Sequence, residues 1–168
     1  MNAFQDNLPA LHIAPMTVTH AAAVCSWEFE PPYNIYGFLP WEEMQKIGIE
    51  FGDPQLRHEQ YSAIESPDGE LIGFAQFFPM VDVTRLGVCM RPDLCGQGLG
   101  SRFMDTIVQE AIRHAPLDEI DLEVHSWNKR AIRTYQKAGF TITDTYDRRT
   151  PTGIGQFYCM VLQGHPSQ

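Results

Sequence analysis

"DLCGQGLGSRFM", residues 93–104, sets glycine at 96, 98 and 100 immediately ahead of an apolar-striped segment. Glycine inside regular structure costs about 0.5–1 kcal/mol relative to alanine, so three at alternate positions mark a backbone that something approaches closely. Leu99, Phe103, Met104, Ile107, Val108, Ala111 and Ile112 then recur at helical spacing. Arg102, Asp105, Gln109 and Arg113 fill the opposite face. "VDVTRLGVCM" (81–90) reads as a strand, so the local order is strand, glycine-rich turn, helix.

Three functional accounts compete for such a turn. A dinucleotide fingerprint, G-x-G-x-x-G, takes Gly96 and Gly98 but needs a third glycine at 101, where Ser101 stands. A phosphate loop of the G-x-x-x-x-G-K-[ST] type fails because no lysine follows the glycines. A turn whose backbone N–H groups, with a helix N-terminus, grip a pyrophosphate needs no particular side chain. The helix dipole there adds about 0.3–1 kcal/mol for an exposed anion. A tight turn that binds nothing satisfies the same spacing.

Further from the glycines, helices and strands mix without a linker-like break. "LHIAPM" and "QYSAIES" read as strands, the latter joined through "PDGE" to the strand "LIGFAQFFPM". "TVTHAAAVCSW" is a helix capped by Thr17 or Thr19, and "WEEMQKIG" a short helix with Pro40 at its start. Pro116 ends the helix after the glycines. "EIDLEVHSW" alternates at strand period, and "NKRAIRTYQKAG" is a helix begun by Asn128 and ended by Gly139. "FTITDTYD" and "GQFYCMVLQ" close the chain as strands. The pattern is that of one α/β domain over residues 1–168.

Composition narrows the function classes. The 168 residues are 43% hydrophobic and 20% charged, which suits an ordinary globular core rather than a disordered chain. A formal charge of -9 argues against a general nucleic-acid binder and is compatible with a cationic small partner. The four cysteines, Cys25, Cys89, Cys95 and Cys159, form no C-x-x-C pair and no zinc spacing, so no metal is expected. Reduced thiols fit a cytoplasmic protein. The opening stretch MNAFQDNLPALH lacks a basic region and an apolar run, and no stretch has the length of a membrane span, so neither secretory leader nor membrane partner is expected.

"VCMRPDLCGQGLGSRFMD" followed by "LEVHSWNKRAIRTYQKAGF" resembles the two most characteristic segments of the GCN5-related N-acetyltransferases (GNAT). Met90, Pro92, Cys95, Gly96, Gly98, Leu99 and Gly100 carry the first segment. Leu122, Val124, Asn128, Ala131, Tyr135, Gly139 and Phe140 carry the second. The resemblance covers roughly residues 10–163 and implies a twisted, mostly antiparallel sheet with a splayed parallel strand pair, flanked by about four helices. It implies acetyl-CoA as co-substrate and an amine or peptide acceptor, with a homodimer common. Val88, Cys89 and Met90 would pair with the pantetheine arm. Gly96, Gln97, Gly98, Leu99, Gly100 and Ser101 would wrap the pyrophosphate. Asn128 would bond the arm, and Tyr135 would serve as general acid near the thioester sulfur. Glu123 takes the place of a base used by relatives that acetylate ribosomal-protein N-termini. Cys95 departs from the usual Arg or Gln, which puts a charge or amide near the phosphates in doubt but leaves the backbone N–H.

The residues permit this chemistry and a plainer account beside it. A lysine-like amine has a reference pKa of about 10.4, so freeing its lone pair at pH 7 costs roughly 4–5 kcal/mol and calls for a base. Strand alternation sets Asp121, Glu123 and His125 on one face of their strand, making Glu123 and, less so, His125 eligible. They are otherwise solvated polar residues of a half-buried strand. Tyr135 follows Ala131 and Ile132 on an apolar stripe, where a core tyrosine is the plainer account. Cys89 and Cys95 have no activating partner in the sequence and read as inert. Lys129, Arg130, Arg133 and Lys137 form a solvated basic face, with Lys129 and Arg130 available to a 3′-phosphate.

"WEFEPPYNIYGFLPW" (27–41) crowds Trp27, Phe29, Tyr33, Tyr36, Phe38 and Trp41 with Glu28 and Glu30. In the resembled fold this region lines the acceptor cleft, and aromatics with carboxylates suit a cationic amine. Tyr33 and Tyr36 are the acceptor-side candidates, against simple closure of the core. Acetyl transfer from acetyl-CoA to a primary amine by direct attack is therefore the leading function. A non-catalytic acyl-CoA-binding module, favoured only by Cys95, is the alternative from another class.

Overall fold

The computed structural model describes residues 10–166. Seven strands and five α-helices follow in the order β1 (His12–Pro15), α1 (Val18–Cys25), α2 (Trp41–Ile47), α3 (Pro54–Gln60), β2 (Tyr61–Glu65), β3 (Leu71–Met80), β4 (Val83–Met90), α4 (Gly100–His114), β5 (Glu119–His125), α5 (Lys129–Lys137), β6 (Phe140–Thr150) and β7 (Gly153–Leu162). Hydrogen bonding orders the strands β1-β2-β3-β4-β5-β7-β6. β1 pairs β2, β5 pairs β7 and β6 pairs β7, all antiparallel. β4 pairs β5 in parallel, in register from Val83↔Glu119 to Leu86↔Leu122. This is the mixed sheet with one parallel pair that the sequence led us to expect, with one helix more.

The additional helix is α3. Asp53 Oδ1 accepts hydrogen bonds from the N–H groups of Gln55 and Leu56 at 2.8 and 3.3 Å, and Pro54 occupies the first turn. An aspartate cap followed by proline is a helix start visible in the sequence. At α1, Thr17 is the cap: its hydroxyl accepts from His20 N at 3.2 Å, and His20 Nδ1 accepts from Thr17 N at 3.1 Å.

Among the described residues two compact units are distinguished, 10–75 with 88–102, and 76–87 with 103–166; β3, β4 and α4 contribute to each. In the first, Phe51 is fully buried at the centre of Met16, Ala21, Val24, Met44, Tyr61 and Phe74. Phe38, Tyr61 and Phe74 meet its ring edge-on at 5.2, 5.7 and 5.5 Å. Each such pair is worth about 0.5–1.5 kcal/mol beyond the area it buries. Trp27, Phe38 and Trp41 pack against this cluster, so half of the aromatics of residues 27–41 close the core. Tyr33 and Tyr36 instead stand half-buried on a 3-10 turn, Tyr33–Tyr36.

In the second unit α4 buries Phe103, Met104, Ile107, Val108 and Ala111, the stripe read from the sequence. β5 buries Ile120, Leu122 and Val124 on one face. The β6–β7 hairpin is longer than its sequence pattern suggests and reaches to Thr150. Its register slips between Ile142 and Asp144, so Asp144 rather than Thr143 lies opposite Cys159. The slip changes which β6 side chains share the face of Glu123.

Gly52 is a sharp test of the first unit. A Cβ there would stand 2.3 Å from the Met44 carbonyl oxygen, a backbone atom that cannot turn aside. Gly52→Ala is expected to cost about 2 kcal/mol. Thermal unfolding should show a fall in Tm on the order of 4–8 °C.

Candidate functional site

In the first unit the glycine turn is built on Arg91. Its guanidinium meets Asp93 at 2.7 Å and Glu70 at 3.3 Å and donates to the Leu71 carbonyl at 3.0 Å, while its backbone N–H donates to the Ile72 carbonyl at 2.8 Å. These bonds tie the end of β4 to the start of β3. Pro92–Leu94 form a single 3-10 turn, and Gln97 Nε2 donates to the Asp93 carbonyl at 2.6 Å. Sequence reading missed Arg91 as the scaffold; an arginine ahead of Pro-Asp is its only signal.

Gly96 and Gly98 adopt φ of +77° and +82°, the left-handed region that L side chains rarely enter. Both are exposed, and open space lies where a Cβ on either would stand. Leu99 follows, and α4 starts at Gly100 with Ser101 exposed in its first turn. Exposed backbone in this conformation ahead of a 15-residue helix has the chemistry that an anion cradle requires. Val88, Cys89 and Met90 are half-buried at the end of β4. Burial pushes the Cys89 thiol up to about 12, with Cys95 contributing. Cys95 directs its Sγ to the Arg91 carbonyl at 3.7 Å. A thiol at about 12 is no nucleophile at neutral pH.

The second unit holds Glu123, Asn128 and Tyr135 on β5 and α5. Glu123 sits in a charged network that only strand pairing could reveal. Arg85 of β4 forks onto Asp121, Nη2 to Oδ2 at 2.8 Å and Nε to Oδ1 at 3.0 Å, and its Nη1 reaches Glu123 Oε1 at 3.2 Å. Arg148 of β6 meets the same Oε1 at 3.1 Å, and its guanidinium lies over the Phe157 ring at 4.2 Å. The Tyr146 hydroxyl donates to Glu123 Oε2. Burial, and then the Glu123 carboxylate, push the Tyr146 hydroxyl well above the usual phenol range, so it remains a donor. Cys159 Sγ donates to Asp121 Oδ2 at 3.6 Å. Arg85, Asp121, Asp144, Tyr146 and Cys159 border an open cavity of about 740 Å³.

Asp121 explains the one exception to strand alternation: it is buried although it shares the polar face, because Arg85 covers it. His125 packs its ring on Phe157 at 4.1 Å and Trp127 at 5.4 Å. Burial, and then Arg148, hold its pKa below the usual histidine value. Asn128 is buried, and its Oδ1 accepts from Ala131 N at 3.1 Å as the cap of α5. Tyr135 is half-buried, edge-on to Phe140 at 6.4 Å. Arg85, Tyr146 and Arg148 escaped sequence reading because they lie 38, 23 and 25 residues from Glu123.

Removing Arg85 strands a buried carboxylate. Arg85→Met is expected to destabilise the chain by about 3 kcal/mol, the low end for a buried pair losing one partner. Urea unfolding checks this, and the loss should shrink when Asp121→Asn is combined with it.

With these features in view, comparison with known proteins is direct. Residues 21–140 match the acetyltransferase (GNAT) family. A mycothiol acetyltransferase from Tsukamurella paurometabola is 29% identical over 140 residues, covering 79% of this chain and 46% of that protein, so the chain spans about half the length of this curated relative. The spermidine N-acetyltransferase from Vibrio cholerae, solved with CoA and spermine, superposes with a TM-score of 0.70 at 13% identity, covering 90% of this chain and 94% of the other. The ribosomal-protein-S18-alanine N-acetyltransferase from Escherichia coli gives 0.62 at 21% identity, over 90% and 92%. Among the described residues no helix is long and apolar enough to cross a membrane. A family match over most of the chain, with the fold shared by solved acetyltransferases, identifies this chain as a member of the acetyltransferase (GNAT) family.

Proposed function

We propose that the chain is an acetyl-CoA-dependent N-acetyltransferase acting on a primary amine by direct attack within a ternary complex. The observation that carries this reading is the exposed left-handed pair Gly96 and Gly98 leading into α4. Residues Cys95 to Ser101 would hold the pyrophosphate through backbone N–H groups, and Val88 to Met90 would pair with the pantetheine arm. Asn128, which also caps α5, would bond that arm. The bound co-substrate supplies an acetyl thioester, an activated carbonyl.

The chain's own residues manage protons. An ammonium acceptor is unreactive until it loses a proton, at a cost of roughly 4–5 kcal/mol at pH 7. Glu123 is our base for that proton. Tyr135 Oη is our proton source for the departing sulfur. A thiol (reference pKa about 8.5) is a stronger acid than a phenol (about 10), so this transfer is uphill by roughly 2 kcal/mol. Tyr135 therefore assists without being indispensable. Tyr33 and Tyr36, half-buried beside the exposed Ile35, are our acceptor-side residues.

The names of the relatives span an amino-terminal alanine and a polyamine, and the reading carries the shared chemistry, a primary amine. Free-thiol release from acetyl-CoA should follow addition of spermidine, lysine, an aminoglycoside or an alanine-ended peptide. Acetyl-CoA bound without thiol release from any of them would overturn the enzyme in favour of a binding module. Saturating acetyl-CoA, at about 100 times Kd, should stabilise the chain by about 2.7 kcal/mol. Replacing Gly98 by valine should abolish that gain. Glu123→Gln should lower kcat by about 10²–10⁴-fold, and Tyr135→Phe by the lower part of that range. An unchanged rate at saturating substrates for either variant removes that residue's role.

A further inference from the structure

A carboxylate offers about four acceptor directions, two on each oxygen. In Glu123, Oε1 receives Arg85 Nη1 at 3.2 Å and Arg148 Nη1 at 3.1 Å, which fills both of its directions. Oε2 receives the Tyr146 hydroxyl, which fills one. Among the described residues, one direction on one oxygen is left. We propose that Tyr146, Arg85 and Arg148 are positioning residues that confine proton acceptance by Glu123 to that direction of Oε2. The proposal rests on Glu123 being the base. In the step concerned, an N–H bond of the ammonium breaks as an Oε2–H bond forms, and the amine keeps the electron pair.

The three holders come from two strands. Arg85 is anchored on β4 by its fork onto buried Asp121. Tyr146 and Arg148 are two residues apart on β6 and share a face, brought there by the register beyond the slip at Ile142 and Asp144. Arg148 is half-exposed yet steadied by lying over Phe157. Its planar fork restricts the angle at which it meets Oε1 in a way that a lysine would not. Tyr146 also borders the open cavity, whereas Glu123 does not. The charged and titratable groups facing Glu123 are Arg85 from β4, Asp121 and His125 from β5, Asp144, Tyr146 and Arg148 from β6, and Cys159 from β7. Of these, Arg85, Arg148 and Tyr146 bond it directly and favour its charged form.

The test measures kcat and KM of the full chain in wild type, Tyr146→Phe, Arg148→Gln and Arg148→Lys. Thermal unfolding of each variant checks the fold. In Arg148→Gln kcat should fall, and Arg148→Lys, which can still donate to Oε1, should recover part of the loss. With the fastest amine of the panel, kcat in Tyr146→Phe should fall by about 10- to 100-fold, the cost of a misplaced group, with the KM for acetyl-CoA unchanged. A wild-type kcat in both Tyr146→Phe and Arg148→Gln overturns the proposal and leaves the base reading standing. A Glu123→Gln enzyme at full rate overturns the base reading, and this proposal with it.

Discussion

Two carboxylates two residues apart on one strand cannot both stand inside a half-buried face unless a cation shares them. Arg85 is that cation, forked onto Asp121 and extended to Glu123. Moving an ion from water into a low-dielectric interior carries a penalty of several kcal/mol, which only close pairing with further hydrogen bonds offsets. The pairing here is bidentate on one carboxylate and shared on the other, a geometry that a planar guanidinium permits and an ammonium does not. The parallel register of β4 and β5 places Arg85 directly beside Asp121, so the pair and the strand pairing depend on one another. Glu123 is then completed from β6 by Tyr146 and Arg148. The polar face of the second unit thus rests on one arginine at its centre.

The glycine turn solves the opposite problem. Gly96 and Gly98 leave left-handed backbone with no side chain beside it, and on the proposed function that backbone meets an anion. A turn with left-handed residues has little internal stabilisation of its own, and the chain supplies it from outside the turn. Arg91 clamps the preceding residues to β3, and Gln97 bonds back to Asp93. Cys95, which departs from the family's usual Arg or Gln, engages a carbonyl inside the same turn. Its side chain serves the shape of the loop, and on the proposed function anion binding would fall to the backbone.

Much of this was readable before any coordinates. α4, β5 and α5 could be read because their apolar residues repeat at the periods of helix and strand, and the caps Thr17 and Asn128 sit where short polar side chains start a helix. α3 was missed although Asp53–Pro54 announces it, because no apolar stripe follows. Trp27, Phe38 and Trp41 could not be told apart from Tyr33 and Tyr36 in the sequence. All are aromatic residues in one proline-broken stretch, and their fates differ only by where Phe51 lies.

Local sequence determined the elements other than α3, the glycine turn, the residues eligible for catalysis and the family. Each is a short-range property, fixed by period, capping or backbone conformation within a dozen or so residues. Tertiary structure alone decided the state of Glu123. Its partners come from strands that are remote in sequence, and one of those strands changes register at Ile142 and Asp144. Because side chains alternate between faces at every residue, a one-residue slip moves a whole set from one face to the other, and no linear reading of β6 places Tyr146 and Arg148 on the carboxylate.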